Sequence, residues 1–364
     1  MAENAMEKLI ALVPAYCPEQ SMIESVRELS GIFPAVIVVD DGCSEEYAPI
    51  FDAVREFPGV TILVHEQNKG KGRALKTGFA YALEHYPDAL GVVTLDADGQ
   101  HTVKDTIACC EEFLKQPKSI VFGCRDFTSD SKIPPRSRFG NRLTSRLLKF
   151  FCDISLSDTQ TGLRVHGMSY LPKLLEVEGD RYEYEMNVIF AVKDLDVPIV
   201  EVPIEVIYLD DNASSHFNPI KDSMKIYKVF FKFMLSSFGS AILDFLIYSL
   251  LTVLLVGGSV PEFVRIHYIG VSTATARICS GIFNYNINRL LFKTKTKVKS
   301  SGPKYLVVWL VQMALSALLV KTLVQQLGWN DKLSKIPVDT ILFFISYKVQ
   351  QLWVFRKEKA GEEE

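Results

Sequence analysis

The 364-residue sequence predicts an α/β domain with a mostly parallel sheet, followed by an all-α, four-helix transmembrane domain. Three observations carry this. Through the first 125 residues, short apolar runs alternate with helical spacing, the pattern of βαβ units with helices on both faces of a sheet. Chemically capable residues cluster just after those runs, where ligands bind in such sheets. Four apolar segments close the chain at about 233–256, 264–292, 303–328 and 336–355, and each approaches the roughly 20 residues that cross a bilayer.

The elements follow in order. Leu9–Val13 is an apolar run ending at Pro14, and Glu19–Leu29 has helical spacing. Ala35–Val39 is a second run, ending in Asp40-Asp41-Gly42, and Val60–Val64 a third, followed by Asn68-Lys69-Gly70-Lys71-Gly72. Arg73–Leu83 reads as a helix, Val92–Leu95 as a fourth run, and Ser119–Phe122 as a fifth. Thr102 is placed to cap a helix running to Leu114. Residues 126–140 are loop-like and basic. A helical stretch to Phe151 and a turn-rich piece, Asp158–Arg164, come next. Tyr182–Val192 is helical, and Ile199–Tyr208 alternates as a half-exposed strand. Ser214–Lys232 sets aromatic and aliphatic residues opposite Lys221, Lys225, Lys228 and Lys232, the signature of an interfacial amphipathic helix. The expected domains are therefore 1–212, a 213–232 interfacial helix, and 233–358 in the membrane.

Charge divides the same way. Residues 1–220 carry 21 Lys/Arg against 34 Asp/Glu, and residues 221–364 carry 19 against 9. An acidic front half argues against nucleic acid as a partner, and a basic, apolar rear half points to membrane lipids. The seven cysteines form no CxxC pair, which suits reduced thiols. Lysines flank the first span, the loop between the second and third, and the end of the last. That pattern predicts an integral, multi-pass protein of four spans with its catalytic domain cytoplasmic. The sequence leaves a homo-oligomer open.

The most informative stretch is Leu95-Asp96-Ala97-Asp98-Gly99-Gln100-His101. In extended chain, positions i and i+2 project to one side, so Asp96, Asp98 and the Gln100 oxygen can converge past a strand end. Hard oxygen ligands there suit Mg²⁺ or Mn²⁺. An acidic turn pivoting on Gly99 is the plainer reading of Asp-x-Asp alone.

Six motifs in order give the pattern its specificity: Pro14-Ala15-Tyr16 with Glu19; Asp40-Asp41-Gly42; Asn68 to Leu75; Asp96 to His101; Gly123-Cys124-Arg125; and Asp158-Thr159-Gln160-Thr161-Gly162-Leu163-Arg164. With them, residues 8–210 resemble family 2 glycosyltransferases of the Rossmann-like GT-A fold, in the dolichyl- or polyprenyl-phosphate mannosyl- and glucosyltransferase branch. Residues 229–358 resemble the four-span GtrA-like membrane domain, through Phe283–Arg289 and Leu352–Phe355.

The resemblance implies inverting, metal-dependent transfer of one hexose to polyprenyl or dolichyl phosphate at the cytosolic membrane face. The donor would be a nucleotide sugar of the GDP-mannose or UDP-glucose type. Pro14, Ala15, Tyr16 and Glu19 would line the nucleotide pocket, Asp40 or Asp41 would hold ribose or base, and Lys71 would reach phosphate. Asp96, Asp98 and Gln100 would hold the metal, with Asp98 catalytic. A lipid phosphate is already anionic, so the acceptor needs cations rather than a strong base. Arg125 and Arg138 are the candidates, with Arg136 and His216 behind them, and guanidinium pairs well with phosphate. Arg136 and Arg138 equally suit a solvated loop, His216 the membrane interface, and Glu185 either a positioning role or the surface. In the membrane half Asp244, Lys348 and one helical face of Arg277, Gly281, Asn284 and Asn288 read as a functional interior; the plainer reading is an ion pair of Asp244 with Arg277 or Lys348. Two alternatives stand: a loader and transporter of the lipid-linked sugar, and a processive polysaccharide synthase, whose Gln-x-x-Arg-Trp motif is absent.

Overall fold

The computed structural model describes residues 6–126, 135–205, 224–257, 261, 268–291, 298–329 and 331–355. Two compact units divide the chain at Lys225/Ile226.

The first unit is a seven-stranded sheet. Its elements are β1 (Leu9–Ala15), α1 (Ser21–Ser30), β2 (Val36–Asp40), α2 (Ala48–Arg55), β3 (Val60–Val64), α3 (Lys71–His85), β4 (Gly91–Thr94), α4 (Val103–Lys115), β5 (Ile120–Arg125), α5 (Pro135–Leu147), β6 (Arg164–Gly167), α6 (Leu171–Leu175), α7 (Glu183–Asp194) and β7 (Ile199–Ile204). The strands lie in the order β3-β2-β1-β4-β6-β5-β7. All pair parallel except β6, which runs antiparallel to both β4 and β5. β1, β4 and β6 are buried along their whole length, as expected of strands covered on both faces.

The predicted runs and helices form within a few residues of their expected ends. Thr102 caps α4, its hydroxyl accepting the Asp105 N–H at 3.0 Å. Three elements differ, the short α6 among them. α2 stands where no helix was read, its start marked by Pro49 in the first turn. The turn-rich piece at 158–164 ends in β6. Four residues flanked by turn formers give too little periodicity to reveal a strand, and antiparallel pairing to two neighbours supplies what local propensity does not. The amphipathic stretch 213–232 and His216 lie outside the described residues up to 223. From Met224 the chain is helical.

The second unit holds α8 (Met224–Gly257), α9 (Tyr268–Leu291), α10 (Val298–Leu327) and α11 (Asp331–Val349), with a π-helical turn at Gln350–Val354. Among the described residues one helix is long and apolar enough to cross a membrane, Met234–Leu255. The expectation of a four-helix transmembrane domain is corrected to this single span. The other helices dilute their apolar runs. α9 carries Arg277, Asn284, Asn286, Asn288 and Arg289; α10 carries Lys299, Lys304, Gln312, Lys321, Gln325 and Gln326; α11 carries Asp331, Lys332, Lys335, Asp339 and Lys348. The multi-pass topology and the cytoplasmic placement of the catalytic domain were argued from alternation across four spans, and they go with it.

These helices meet through an apolar cluster of Tyr285, Val308, Val354 and Phe355 and through a polar one. Asn288 is fully buried. It accepts from Ser236 Oγ at 2.9 Å and donates to Asn284 at 2.8 Å and Gln350 at 3.0 Å. Tyr305 closes the cluster on Asn284 at 2.7 Å. The plainer of the two readings, an ion pair, forms between Asp244 and Arg277 at 3.6 Å.

His166, inside β6, gives a pH test of the first unit. Burial, and then the Arg164 charge, push its imidazole down to about 3. Below its ordinary value near 6.5 the unfolded chain takes up a proton that the folded chain refuses until about pH 3, so stability falls with pH through that window. Thermal unfolding of the full chain in detergent between pH 7 and 4.5 should show this slope. His166→Gln should flatten it, whatever its midpoint; an unchanged slope would remove His166 as the cause.

Candidate functional site

β1, β2 and β4 end side by side, and the loops after them build one polar edge. Asp41 is buried within it. Its carboxylate accepts from His65 Nδ1 at 2.6 Å, Lys69 N–H at 3.0 Å and Gly70 N–H at 2.7 Å. Asp41 thus sets the shape of the loop leading into α3. The Lys69 and Gly70 amides are spent on it. Gly70 has φ +99° and lies against the Asp180 carbonyl, so a side chain fits there neither sterically nor conformationally. Asp40 turns into its own loop and accepts the Cys43 N–H at 2.9 Å. Pro14 and Ala15 are buried in β1, so Tyr16, 54% exposed, and exposed Glu19 are what the first motif presents to solvent.

α3 begins at Lys71, and its ammonium joins two carboxylates: Asp96 Oδ1 at 2.6 Å and Glu185 Oε2 at 3.0 Å. Burial alone would lower the Lys71 pKa; the carboxylates outweigh it and hold the group above its ordinary value. Asp96 shows the converse. Burial would raise its carboxyl, but Lys71 and His101 hold it well below the carboxylate range. Behind Glu185 stands Arg164, 2% exposed, with Nη2 3.7 Å from the Glu185 carboxylate and Nη1 donating to the Glu185 carbonyl at 3.0 Å. Four charges of alternating sign therefore run from β6 through α7 and α3 to the turn after β4. Gly162 abuts the Asp96 carboxylate so closely that a Cβ would overlap it. Thr94 holds that glycine's carbonyl at 2.9 Å.

The 96–100 stretch is a turn rather than an extended strand. Asp98 accepts the Gln100 N–H at 3.0 Å. Burial, then the adjacent Asp96 charge, raise the Asp98 carboxyl above its ordinary value. His101 lies with Nε2 3.9 Å from Asp96, and its buried Nδ1 has no hydrogen-bond partner among the described residues. No three His, Cys, Asp or Glu side chains among the described residues converge on a metal position. Two neighbouring carboxylates, one of them held uphill by the other, nevertheless fit a divalent ion.

Arg125 ends β5 beside a fully buried Asp158. The guanidinium grips it through Nε at 2.7 Å and Nη2 at 3.2 Å, and the Arg125 N–H reaches the same carboxylate at 3.3 Å. Asn141 of α5 fixes the surrounding loop, donating to the Ser157 carbonyl at 2.6 Å and accepting from Thr159 N–H at 3.1 Å. Arg138 lies on α5, half-buried; Arg136 stands in its first turn.

The structure thus gathers Lys71, Asp96 and Asp98 at one edge, together with Glu185. Asp158, Arg164, Gly162 and Asn141 were not assigned roles from sequence. The first three lie in one motif, whose density of turn formers and charge was the available signal; Asn141 gave none.

The mostly parallel sheet with carboxylates gathered at its carboxyl edge is a GT-A-like α/β domain. Comparison places the chain further. Residues 14–174 match the model of glycosyl transferase family 2, and residues 232–355 match that of the GtrA/DPMS transmembrane domain. The chain is a family 2 glycosyltransferase domain fused to a GtrA-like, membrane-associated domain. It is 29% identical to UDP-N-acetylglucosamine–dolichyl-phosphate N-acetylglucosaminyltransferase of Methanococcus voltae, over 65% of this chain and 99% of that one. It is 25% identical to undecaprenyl-phosphate 4-deoxy-4-formamido-L-arabinose transferase of Enterobacter sp., over 54% and 60%. Mannosyl-3-phosphoglycerate synthase from Rubrobacter xylanophilus superposes with a TM-score of 0.43 at 13% identity, over 59% of this chain and 74% of that one.

Removing the buried Asp158 carboxylate takes a partner from a guanidinium that is 19% exposed, so the cost lies below the roughly 3–5 kcal/mol of a fully buried pair. Asp158→Ala should therefore lower the unfolding midpoint of the full chain markedly. Asp158→Asn, which keeps the shape, should lower it less. Equal midpoints for Asp158→Ala and the native chain would show that the pair carries no stability.

Proposed function

We propose that this protein transfers a single hexose from a nucleotide sugar to a polyprenyl or dolichyl phosphate, with inversion and with a divalent ion, Mg²⁺ or Mn²⁺. The observation that carries the reading is the carboxylate pair Asp96/Asp98 at the sheet edge with Lys71 at 2.6 Å from Asp96. The names of the Methanococcus and Enterobacter relatives, both lipid-phosphate sugar transferases, support the acceptor. The N-acetylglucosaminyl name adds UDP-N-acetylglucosamine to the donors worth testing.

Asp96, Asp98 and the Gln100 oxygen would hold the ion, which when bound would supply charge neutralisation for a diphosphate leaving group. The protein supplies the rest. Lys71 lies where a diphosphate oxygen would compete with Asp96 for its ammonium. Glu185 and Arg164 keep that ammonium from swinging away. Asp41 holds the loop before α3 in place, so its role is to shape the nucleotide site rather than to touch base or ribose. Asp40, Tyr16 and Glu19 remain for those contacts. Arg125 would meet the acceptor phosphate, with Asp158 fixing the plane of its guanidinium, and Arg138 and Arg136 would approach from α5. Attack by a phosphate oxygen requires no proton removal at neutral pH, so no general base is assigned. The transporter alternative depended on a multi-span bundle and is not carried further; the processive alternative lacks its motif.

The test is turnover of the full chain in bilayers with polyprenyl phosphate and GDP-mannose, UDP-glucose or UDP-N-acetylglucosamine, each with Mg²⁺, Mn²⁺ or chelator. The expected product is one sugar on the lipid phosphate by mass spectrometry, made only with a cation. Longer sugar chains, or full activity in chelator, would contradict the reading. Asp98→Asn should lower kcat by about 10²-fold or more while leaving the unfolding midpoint near native. Arg125→Lys should raise KM for the acceptor with donor KM little changed. A defect confined to the donor would reassign Arg125.

A further inference from the structure

Two cysteines meet where β1 and β2 end. The strands are parallel neighbours with Ala15 beside Asp40, so the chain leaves both on the same side of the sheet. Cys17 follows shortly after Ala15, and Cys43 shortly after Asp40. The Cys17 N–H donates to Cys43 Sγ at 3.1 Å, the Cys43 N–H donates to Asp40 at 2.9 Å, and Cys43 Sγ lies 3.9 Å from the Ala15 carbonyl. Cys17 has φ +49°, a left-handed conformation that a residue other than glycine keeps only where its surroundings hold it. Here its amide is tied to the Cys43 sulfur. The donor geometry at that distance leaves the two Cα atoms within the roughly 6.8 Å that a disulfide can span.

The two thiols differ in access. Cys17 is exposed, Cys43 is half-buried, and Cys109, Cys110 and Cys124 are buried. Burial, then hydrogen bonding with Asp40, pushes the Cys43 thiol up to about 12, so it keeps its proton at neutral pH. The Cys17 side chain lies against two phenols and raises both, Tyr16 first through its charge and Tyr47 first through a hydrogen bond. An accessible sulfur with a second, protonated sulfur held beside it is the arrangement of an attacking and a resolving cysteine.

We propose that Cys17 and Cys43 form a reversible oxidation site for hydroperoxides. The Cys17 thiolate attacks a peroxide oxygen, the O–O bond breaks, and the departing alkoxide or hydroxide takes up a proton; Cys17 becomes a sulfenic acid. Cys43 Sγ then attacks that sulfur. The S–S bond forms, the S–O bond breaks, and the Cys43 proton leaves with the hydroxide as water. A dithiol restores both thiols. The disulfide draws the Cys17 side chain away from Tyr16 and Tyr47 and toward the loop of Asp40. Tyr16 and Asp40 are assigned to base and ribose, so oxidation closes the nucleotide pocket; this consequence alone rests on the proposed function.

The test treats the reduced full chain in detergent with hydrogen peroxide, blocks the remaining thiols with N-ethylmaleimide under denaturing conditions and digests with trypsin. Cleavage after Lys8, Arg27 and Arg55 leaves the two cysteines on separate peptides, residues 9–27 and 28–55. Mass spectrometry should find these peptides joined, and separated again by dithiothreitol. In Cys43→Ser, Cys17 should stop at the sulfenic acid and be trapped by dimedone; in Cys17→Ser, peptide 28–55 should stay unoxidised. Circular dichroism checks that both variants fold, and the joined peptides of the native chain decide the matter even where one does not. A Cys17 that passes unlinked to the sulfinic acid, or that pairs with Cys17 of a second copy, overturns the proposal. Binding of UDP-glucose, GDP-mannose and UDP-N-acetylglucosamine, each with Mn²⁺, should weaken about tenfold or more on oxidation, the equivalent of about 1.4 kcal/mol, and recover with dithiothreitol. Unchanged binding overturns the closing of the pocket. If none of the three binds the reduced chain, the functional reading fails while the joined peptides still decide the disulfide.

Discussion

The Lys71 ammonium between Asp96 and Glu185 is the contact on which the sheet edge depends. It joins the turn after β4 to α3 and α7, and Arg164 extends the join to β6. Such buried pairs add little net stability, because desolvation offsets most of the Coulomb gain. Their effect is on position. Lys71 and Glu185 each have a partner of opposite sign on either side, so moving α3 or α7 breaks two pairs at once. The edge is therefore held in one arrangement, and that arrangement puts Asp96 and Asp98 together despite their mutual repulsion.

β6 is the topological device that makes this possible. An otherwise parallel sheet has its loops separated by whole crossover helices. One antiparallel strand between β4 and β5 brings the Asp158–Leu163 loop back to the carboxyl edge, between Asp96 on one side and Arg125 on the other. Gly162 lies against the first and Asp158 grips the second. A single loop thus sets the spacing between the carboxylates assigned to the donor and the guanidinium assigned to the acceptor.

In the second unit a buried amide and hydroxyl cluster does comparable work. Asn288 has its oxygen and both amide hydrogens engaged, and its partners come from α8, α9 and the turn after α11, with Tyr305 of α10 reaching Asn284. A polar group so enclosed has few alternative arrangements of equal energy. The asparagines that looked from sequence like a functional face of a membrane helix are, in the structure, what the helices use to recognise one another.

The sequence by itself determined the sheet, most of its helices and the set of chemically capable residues. Apolar runs of strand length, alternation, helical spacing and turn formers are local signals, and six of the seven strands announce themselves through them, all but β6. It also placed Asp96, Asp98, Lys71 and Arg125 at strand or helix ends, which is enough to predict one edge. Tertiary structure alone decided their partners. Asp41 became a scaffold rather than a ligand contact because two amides and an imidazole from later in the chain point at it. Lys71 found Glu185, 114 positions on, and Arg125 found Asp158, because β6 reversed direction. The number of spans also lay beyond the sequence reading, since four apolar segments look alike until the charged and amide side chains on three of them are counted within continuous helices. Periodicity records which face of an element is buried; it carries no record of what that face is buried against.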